Sequence, residues 1–145
     1  MRILFCAPTP WNPRLGAAKV FIELSEELTA LGWECERACL PELVTAAPGR
    51  PSVPLYAEAL RRHLRERAAD FDVVEYDHVF LPYPRSDFPA HVLLLARSVL
   101  LHHHVAAIEF PRRRTARALL GSLVRGPRRR RELVQALHFA DRTVS

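Results

Sequence analysis

The chain opens with the stretch Met1-Arg2-Ile3-Leu4-Phe5-Cys6-Ala7, whose last five residues are apolar and are followed by Pro8. A continuous apolar run of this kind, bounded by proline, is typical of a strand buried on both faces of a parallel sheet. Residues 8–16 contain three prolines and predict a loop, because each proline fixes φ and removes a backbone donor. Apolar residues then recur at helical spacing from Ala17 to Leu31, and Gly32 supplies a helix stop. The opening residues therefore predict a strand, a loop and a helix.

The alternation of strand and helix continues along the chain. Trp33–Leu40 alternates between apolar and charged residues, which predicts a strand near a sheet edge. Further strands are predicted at 71–76 and 91–97, and helices at 55–69, 115–125 and 128–140. This order predicts an α/β fold with a parallel sheet, flanking helices and right-handed crossovers. Because a β-prone run begins at Thr143, just before the chain stops, the sequence also predicts a truncation or a domain boundary there.

Length and composition predict one soluble globular domain over residues 1–145. Hydrophobic residues make up 49% and charged residues 26% of the chain, which excludes the disordered class. The cysteines, Cys6, Cys35 and Cys39, form neither a C-x-x-C pair nor an even set, so the sequence favours a reducing, cytoplasmic compartment. The longest apolar stretch, Val92–Leu101, is interrupted by one arginine and is shorter than the ~20 residues that a membrane-spanning helix needs.

The chain is basic, with a formal charge of +5 and 21 Lys and Arg residues, of which only Lys19 is a lysine. This arginine content could reflect coding bias or an attraction to phosphate-bearing partners, and charge alone does not decide between them. Arginines at 112–114 and 128–131 flank leucine-rich predicted helices. That pattern suits either a solvated surface or peripheral contact with an anionic membrane, at its inner face. Nucleic acid is disfavoured as a partner because no aromatic residues interleave with these arginines as stacking platforms.

Candidate ligand-binding residues lie in and after the first loop. Ligands of open α/β sheets bind at the carboxyl ends of the strands, where residues 8–16 follow the first strand. Gly16 would let a ligand approach the backbone, and the helix start beyond it adds N–H groups and a dipole that favour phosphate. Arg14 and Lys19 could add positive charge to the same place. The single glycine disfavours a dinucleotide site of the G-x-G-x-x-G type, and a plain tight turn at Gly16 is the alternative.

Candidate catalytic residues follow the third predicted strand. Asp77 and His78 could orient an acceptor hydroxyl or act as acid or base, the alternative being ordinary hydrogen bonding within the loop. Aromatic residues among the prolines of 80–89 could form an acceptor-binding lip with Arg85, or could simply pack the loop against the domain. No metal site is predicted at His102–His104, since three adjacent side chains point in different directions and would need ligands from elsewhere.

Four segments of the chain follow one another in an order and at spacings that belong to one family. They are Met1–Phe5 leading into the proline-rich loop, Lys19–Leu28 with the turn Ala30–Glu34, Phe71–Glu75, and the closing Phe139–Ser145. Together they resemble the N-terminal domain of glycosyltransferase family 4 enzymes, which have the GT-B architecture. The resemblance covers essentially the whole chain. The closing segment, in which alanine and aspartate precede a strand and a serine, is similar to the one before the hinge of such enzymes.

The resemblance implies a hexosyltransferase with two Rossmann-like domains, the first meeting the acceptor and the second gripping the nucleotide. Residues 1–145 would be the N-terminal, acceptor-side domain. Its expected partners are a nucleotide-sugar donor, an acceptor glycan, lipid or small molecule, and the missing C-terminal domain, without which we expect no activity. The resemblance implies no cofactor and no metal. It also implies a histidine near the donor sugar, for which His102 and His103 are the candidates.

Two other interpretations stay open beside the transferase. The chain could be a basic module that binds membranes or nucleic acid, in which case it should be retained on anionic vesicles or RNA and released by salt. It could also be a free-standing doubly wound domain with another small ligand. The transferase interpretation differs from both in requiring a second, donor-binding domain.

Overall fold

The computed structural model of the protein describes residues 1–39, 43, 53–77, 83–97, 131, 134–135 and 137–144. Within them lies a five-stranded sheet of β1 (Arg2–Ala7), β2 (Glu34–Cys39), β3 (Val73–Asp77), β4 (Leu93–Arg97) and β5 (Arg142–Val144). Every neighbouring pair is parallel, and the strand order is β2-β1-β3-β4-β5. The predicted α/β fold with a parallel sheet is confirmed. The predicted strand around Thr143 is confirmed as well. Within the described residues, the second strand lies at the predicted edge of the sheet.

Two strands are shorter than their apolar patterns. The segments 71–76 and 91–97 enter the sheet only at Val73 and Leu93. The residues before them close turns instead, since the Phe71 N–H donates to Ala68 O at 3.2 Å and the Val92 N–H donates to Pro89 O at 3.1 Å. Both side chains are nevertheless buried, which explains why the apolar run is longer than the strand.

Helix α1 (Gly16–Ala30) ends just before Gly32, the predicted helix stop. Gly32 has φ of 84°, a left-handed conformation that a side chain would strain. Its N–H donates to Thr29 O at 2.9 Å, and the next N–H, of Trp33, donates to Leu28 O at 3.0 Å. This pair of bonds is a Schellman motif, which satisfies carbonyls at the end of the helix and turns the chain into β2.

Further helical segments follow β2. Helix α2 (Val53–Arg67) continues into a 3-10 turn at Ala68–Asp70, and a second 3-10 turn, Arg85–Asp87, precedes β4. Residues 137–139 are helical, in agreement with the predicted helix 128–140, whereas the predicted helix 115–125 lies outside the described residues. No helix in the described part of the chain is long and apolar enough to cross a membrane.

The two faces of the sheet are covered by different helices. On one face Ile3, Phe5 and Ala7 pack with Phe21 of α1. On the other face the cluster includes members of β1, β3, β4 and α2, namely Leu4, Cys6, Val74, Tyr76, Leu94, Ala96, Tyr56, Leu60 and Leu64. Leu4 and Phe5 are both fully buried, and burial of such a side chain stabilises the fold by about 1.5–3 kcal/mol. The central position of β1 explains its continuous apolar run.

The placement of α1 and α2 on opposite faces follows from the strand order. The chain moves outward from β1 to β2 and then returns past β1 to β3. Since crossovers between parallel strands are right-handed, a reversal of direction moves the connecting helix to the other face. In open parallel sheets, such a reversal is where a ligand-binding crevice forms at the carboxyl ends of the two strands, here β1 and β3.

The amino edge of the sheet is held by charged side chains. Glu36 of β2 accepts hydrogen bonds from the guanidinium groups of Arg2, at 2.7 Å, and Arg67, at 2.9 Å. Both guanidinium groups also lie over the ring of Phe71, with their carbon atoms 5.3 and 5.4 Å from its centroid. Hydrogen bonding to Arg67 is the main cause that lowers the pKa of the Glu36 carboxyl, and Arg2 adds to it. These contacts connect β1, β2 and α2 at the edge opposite to the crevice.

Candidate functional site

The candidate site is the crevice at the carboxyl ends of β1 and β3. Ala7 and Asp77 are the last residues of these strands, and Arg97 is the last residue of β4. Asp77 is the register partner of Arg97, so their backbones lie side by side at this edge. In open parallel sheets, ligands bind where connections from neighbouring strands leave in opposite directions. The strand order therefore selects this edge, next to the loop that follows Ala7.

The loop between β1 and α1 is folded into a compact turn. The Asn12 N–H donates to Pro10 O at 2.8 Å, and the Leu15 N–H donates to Asn12 O at 2.9 Å. The Asn12 side chain also accepts from the backbone N–H of Arg14 at 2.9 Å, as in an Asx turn. These bonds fix the point at which the chain enters α1.

Trp11 anchors the same loop to the domain. Its ring stacks on Phe21 of α1, with centroids 6.3 Å apart and an interplanar angle of 19°, and its centroid lies 6.1 Å from that of Phe5. Near it in the chain, Thr9 Oγ1 is buried and has no hydrogen-bond partner among the described residues. A buried hydroxyl without a partner is uncommon and calls for a water or ligand atom beside it.

The first turn of α1 is open to an anion. Its N-cap residue, Leu15, gives no side-chain hydrogen bond, and the turn itself, fully within the described residues, contains no acidic side chain. Gly16 is exposed, and a Cβ added to it would meet nothing within 4 Å. Gly16 is the first residue of α1, so it begins the helix rather than forming the tight turn considered above. The free N–H groups and the helix dipole favour a negatively charged ligand here.

The two predicted cations flank this turn. Arg14 is exposed, one residue before the N-cap. Lys19 is also exposed, and its ammonium lies 3.5 Å from the carboxylate of Glu23, one turn further along α1. An exposed pair of this kind is weak, so it does not prevent Lys19 from reaching toward a ligand. Contact of Arg14 and Lys19 with phosphate stays a prediction.

Glu75 and Arg97 form a buried ion pair on the same face as α1, which sequence reasoning missed. The Arg97 Nε donates to the Glu75 carboxylate, whose side chain is 1% exposed. The guanidinium also lies 5.4 Å from the ring centroid of Phe21. Burial raises the pKa of the Glu75 carboxyl, and the hydrogen bond from Arg97 opposes that shift. A glutamate inside an apolar run was the signal in the sequence, since a buried carboxylate requires a partner.

Arg85 is not brought to the crevice. It lies in the 3-10 turn before β4, at the amino edge of the sheet. Its guanidinium donates to the carbonyl groups of Phe88, Pro89, Ala90 and Val92, at 2.9–3.3 Å, and to the Asp141 carboxylate at 3.3 Å. Tyr83 and Phe88 are buried in the core, so these aromatic residues pack the segment against the domain instead of forming a lip. The contacts of Arg85 assign it to the framework of the sheet.

The remaining candidates are not part of this geometry. His78, His102 and His103 lie outside the described residues, and their roles stay predictions. Among the side chains that the structure describes, no group of three or more His, Cys, Asp or Glu residues could hold a metal ion. Asp77 is the one candidate catalytic residue among the described residues. It lies half-buried at the end of β3.

The arrangement combines an open helix N-terminus with polar groups from neighbouring strands. Such a crevice can bind a phosphorylated ligand on the α1 side and present a carboxylate, Asp77, to a second group. No family model matches the chain, and no curated protein matches it significantly. The resemblance to glycosyltransferases accordingly stays an interpretation of the residues.

Proposed function

We propose that the chain is the acceptor-side, Rossmann-like domain of a GT-B glycosyltransferase that transfers a hexose from a nucleotide sugar. One observation carries the proposal. The first turn of α1 has no side-chain cap, and it follows β1 at the place where the strand order reverses, between β1 and β3. Three further features support it: the order of the resembling segments, the Thr9 hydroxyl, which has no partner among the described residues, and Asp77 at the adjacent strand end. A second domain would contribute most contacts to the nucleotide.

The proposed chemistry is displacement of a nucleoside diphosphate from the sugar by an acceptor hydroxyl. Negative charge then develops on the diphosphate oxygens, and N–H groups oriented toward them before the reaction lower its barrier. The first turn of α1 supplies such groups, with Arg14 and Lys19 adding positive charge. Asp77 orients the acceptor hydroxyl and accepts its proton. On this proposal, the domain alone binds its ligands weakly and does not turn them over.

Calorimetric titration with UDP, GDP and common nucleotide sugars tests the proposal, using the full chain alone and together with a donor-binding domain. The informative variant is Gly16→Asp, because the site has room for a side chain and a carboxylate at a helix N-terminus leaves α1 as stable or more stable. We expect Gly16→Asp to weaken nucleotide binding about tenfold or more through repulsion of phosphate. The neutral, nearly isosteric Gly16→Asn should weaken it much less.

The two variants separate charge from shape. Equal losses in Gly16→Asp and Gly16→Asn would point to steric blocking and would contradict a phosphate contact. If no nucleotide binds, either to the chain alone or to the chain together with a donor-binding domain, the transferase proposal fails. Salt-sensitive retention on anionic vesicles in that case would favour the basic binding module instead.

A further inference from the structure

The sheet face that carries α1 is covered over only part of its width. On this face Val73 of β3 packs in the cluster with Phe21 of α1 and is 6% exposed, whereas its register partner on β4, Leu93, is 38% exposed. Leu94, which points to the opposite face, is 1% exposed. The cover by α1 therefore ends between β3 and β4. We propose that the uncovered strip beside α1 binds an amphipathic helix from outside residues 1–145.

The strand order explains why the connections of this chain leave the strip open. From β2 onward the chain always moves in one direction, past β1 to β3, β4 and β5. Right-handed crossovers in that direction lie on the face that carries α2. The described end of the last connection agrees, because Leu137 and Ala140 pack against the cluster on the α2 face. A helix over the strip therefore comes from another source, and the inference goes beyond the proposed function because it does not depend on the crevice.

The side of α1 that faces the strip is apolar as well. Ser25 lines a groove with Cys35 of β2, so the opposite side of α1 faces β4. Val20 and Leu24 lie on that side, four residues apart, and Val20 is 44% exposed. Leu31 follows at the end of the helix and is 75% exposed. An apolar helix side beside exposed leucine on a strand forms a continuous patch, and such a patch marks an interaction site. We call it the open strip, and it consists of Val20, Leu24, Leu31, Leu93, Leu95 and Arg142.

One helix fits the dimensions of the open strip. Neighbouring strands lie about 4.8 Å apart, so β4 and β5 together are about 10 Å wide, which is about the diameter of one helix. A partner as long as α1, which has 15 residues, would extend about 22 Å along it. Leu93–Leu95 form a continuous apolar run, and strands of parallel sheets have such runs because helices cover both of their faces.

Charged residues at the two borders of the open strip define the chemistry of the partner helix. Glu27, three residues after Leu24, lies at the α1 border, and Arg142, the register partner of Leu95, lies on β5. Both side chains are exposed. An apolar stripe with a basic border toward α1 and an acidic border toward β5 complements both charges. A second copy of the chain does not supply that stripe from α1 or α2, since the outward sides of these helices carry charged residues such as Glu23 and Arg62.

The probe is a fluorescein-labelled helical peptide of about five turns, with one stripe of leucines, lysines along one border of the stripe and glutamates along the other. Fluorescence anisotropy measures its binding to the full chain. We expect saturable binding with a dissociation constant of about 0.1 mM, because a free peptide loses conformational entropy when it docks. A peptide of the same composition, with its leucines distributed around the helix, should not bind.

Variants of the full chain locate the docking. Leu93→Thr keeps a β-branched residue in the strand but removes apolar surface, and it should weaken binding about tenfold with unchanged circular dichroism. Val134→Thr is the matched control and should have no effect, because Val134 is 60% exposed in the segment that packs on the α2 face. Glu27→Lys and Arg142→Glu should each weaken binding about threefold. The double variant should restore binding, because the peptide then docks in the reverse direction.

The inference is overturned if the striped peptide does not bind, if the peptide without a stripe binds equally, or if Leu93→Thr and Val134→Thr have equal effects. Charge variants without effect, or a double variant without recovery, would contradict the assigned borders. Sedimentation of the chain alone tests the other occupant, since a dimer that Leu93→Thr dissociates would replace the helix by a second copy. Nucleotide binding and the Gly16 variants report on the crevice, so the open strip and the proposed function can fail separately.

Discussion

Replacing Asp141 with alanine removes the side chain that docks β5 onto β4. The Asp141 carboxylate accepts a hydrogen bond from the backbone N–H of Leu94 at 2.8 Å. The backbone N–H of Asp141 donates in turn to Leu94 O at 2.9 Å. The other carboxylate oxygen accepts from Arg85 at 3.3 Å. Asp141 thereby bonds to β4 immediately before β5 begins, and it connects this point to the turn before β4.

The expected loss of stability follows from these contacts. Leu94 is 1% exposed, so its N–H loses its partner in a buried position, which costs about 1–3 kcal/mol. The ion pair with Arg85 is about one-third exposed and long, and adds no more than about 0.5 kcal/mol. We therefore expect Asp141→Ala to lower the free energy of unfolding by about 2 kcal/mol. Asp141→Asn keeps an oxygen acceptor for Leu94 and should cost less than about 1 kcal/mol.

Urea unfolding of the full chain, followed by circular dichroism, measures these differences as shifts of the midpoint at constant slope. Asp87→Ala is the matched control, because Asp87 is an exposed acid in the turn that contains Arg85, and it should change stability by less than about 0.5 kcal/mol. Equal effects of Asp141→Ala and Asp87→Ala would refute the reasoning. So would an Asp141→Asn variant as unstable as the alanine variant.

Three other substitutions have defined outcomes. Glu75→Leu should lower the unfolding free energy by about 3 kcal/mol, because Arg97 loses its buried partner, and Arg97→Met in the same chain should restore at least half of it in urea titrations. Glu36→Gln should lower stability by no more than about 1 kcal/mol at neutral pH, since the pair is partly exposed. The folded-state pKa of Glu36 is lowered, so the stability difference between Glu36→Gln and the wild type is present above the unfolded-state pKa. This stability difference should vanish as the pH falls through the folded-state pKa. A constant difference in thermal melts from pH 7 to 3 would contradict the expectation. Gly32→Ala should cost about 1 kcal/mol because φ is positive there, with Gly32→Asn costing less; a neutral Gly32→Ala in the same assay would contradict the Schellman turn.

The candidate site was predictable in part. The proline-rich loop and the helix start after it, with Arg14, Gly16 and Lys19, lie at the carboxyl edge as the pattern indicated, because a strand followed by a loop and a helix fixes that edge locally. Arg85, in contrast, was a candidate for an acceptor-binding lip because of its aromatic neighbours. It lies at the opposite edge, since a residue before a strand in a parallel sheet lies at its amino end.

The sequence by itself determined the elements that depend on local pattern. The apolar run of β1 requires burial on both faces, the helical spacing of α1 gives it one buried side, and Gly32 allows the left-handed turn that ends it. These features arise from interactions within a few residues along the chain.

Only the tertiary structure decided which distant residues meet. The strand order, the pairing of Glu75 with Arg97, the docking of Asp141 on Leu94 and the open strip beside α1 join residues from separate segments. Such contacts depend on the direction in which each crossover returns to the sheet, and no local spacing encodes that direction. The physical reason is that burial stabilises any apolar face to a similar extent, because the hydrophobic effect is not directional. A buried charge or backbone N–H, in contrast, is stable only beside its own partner.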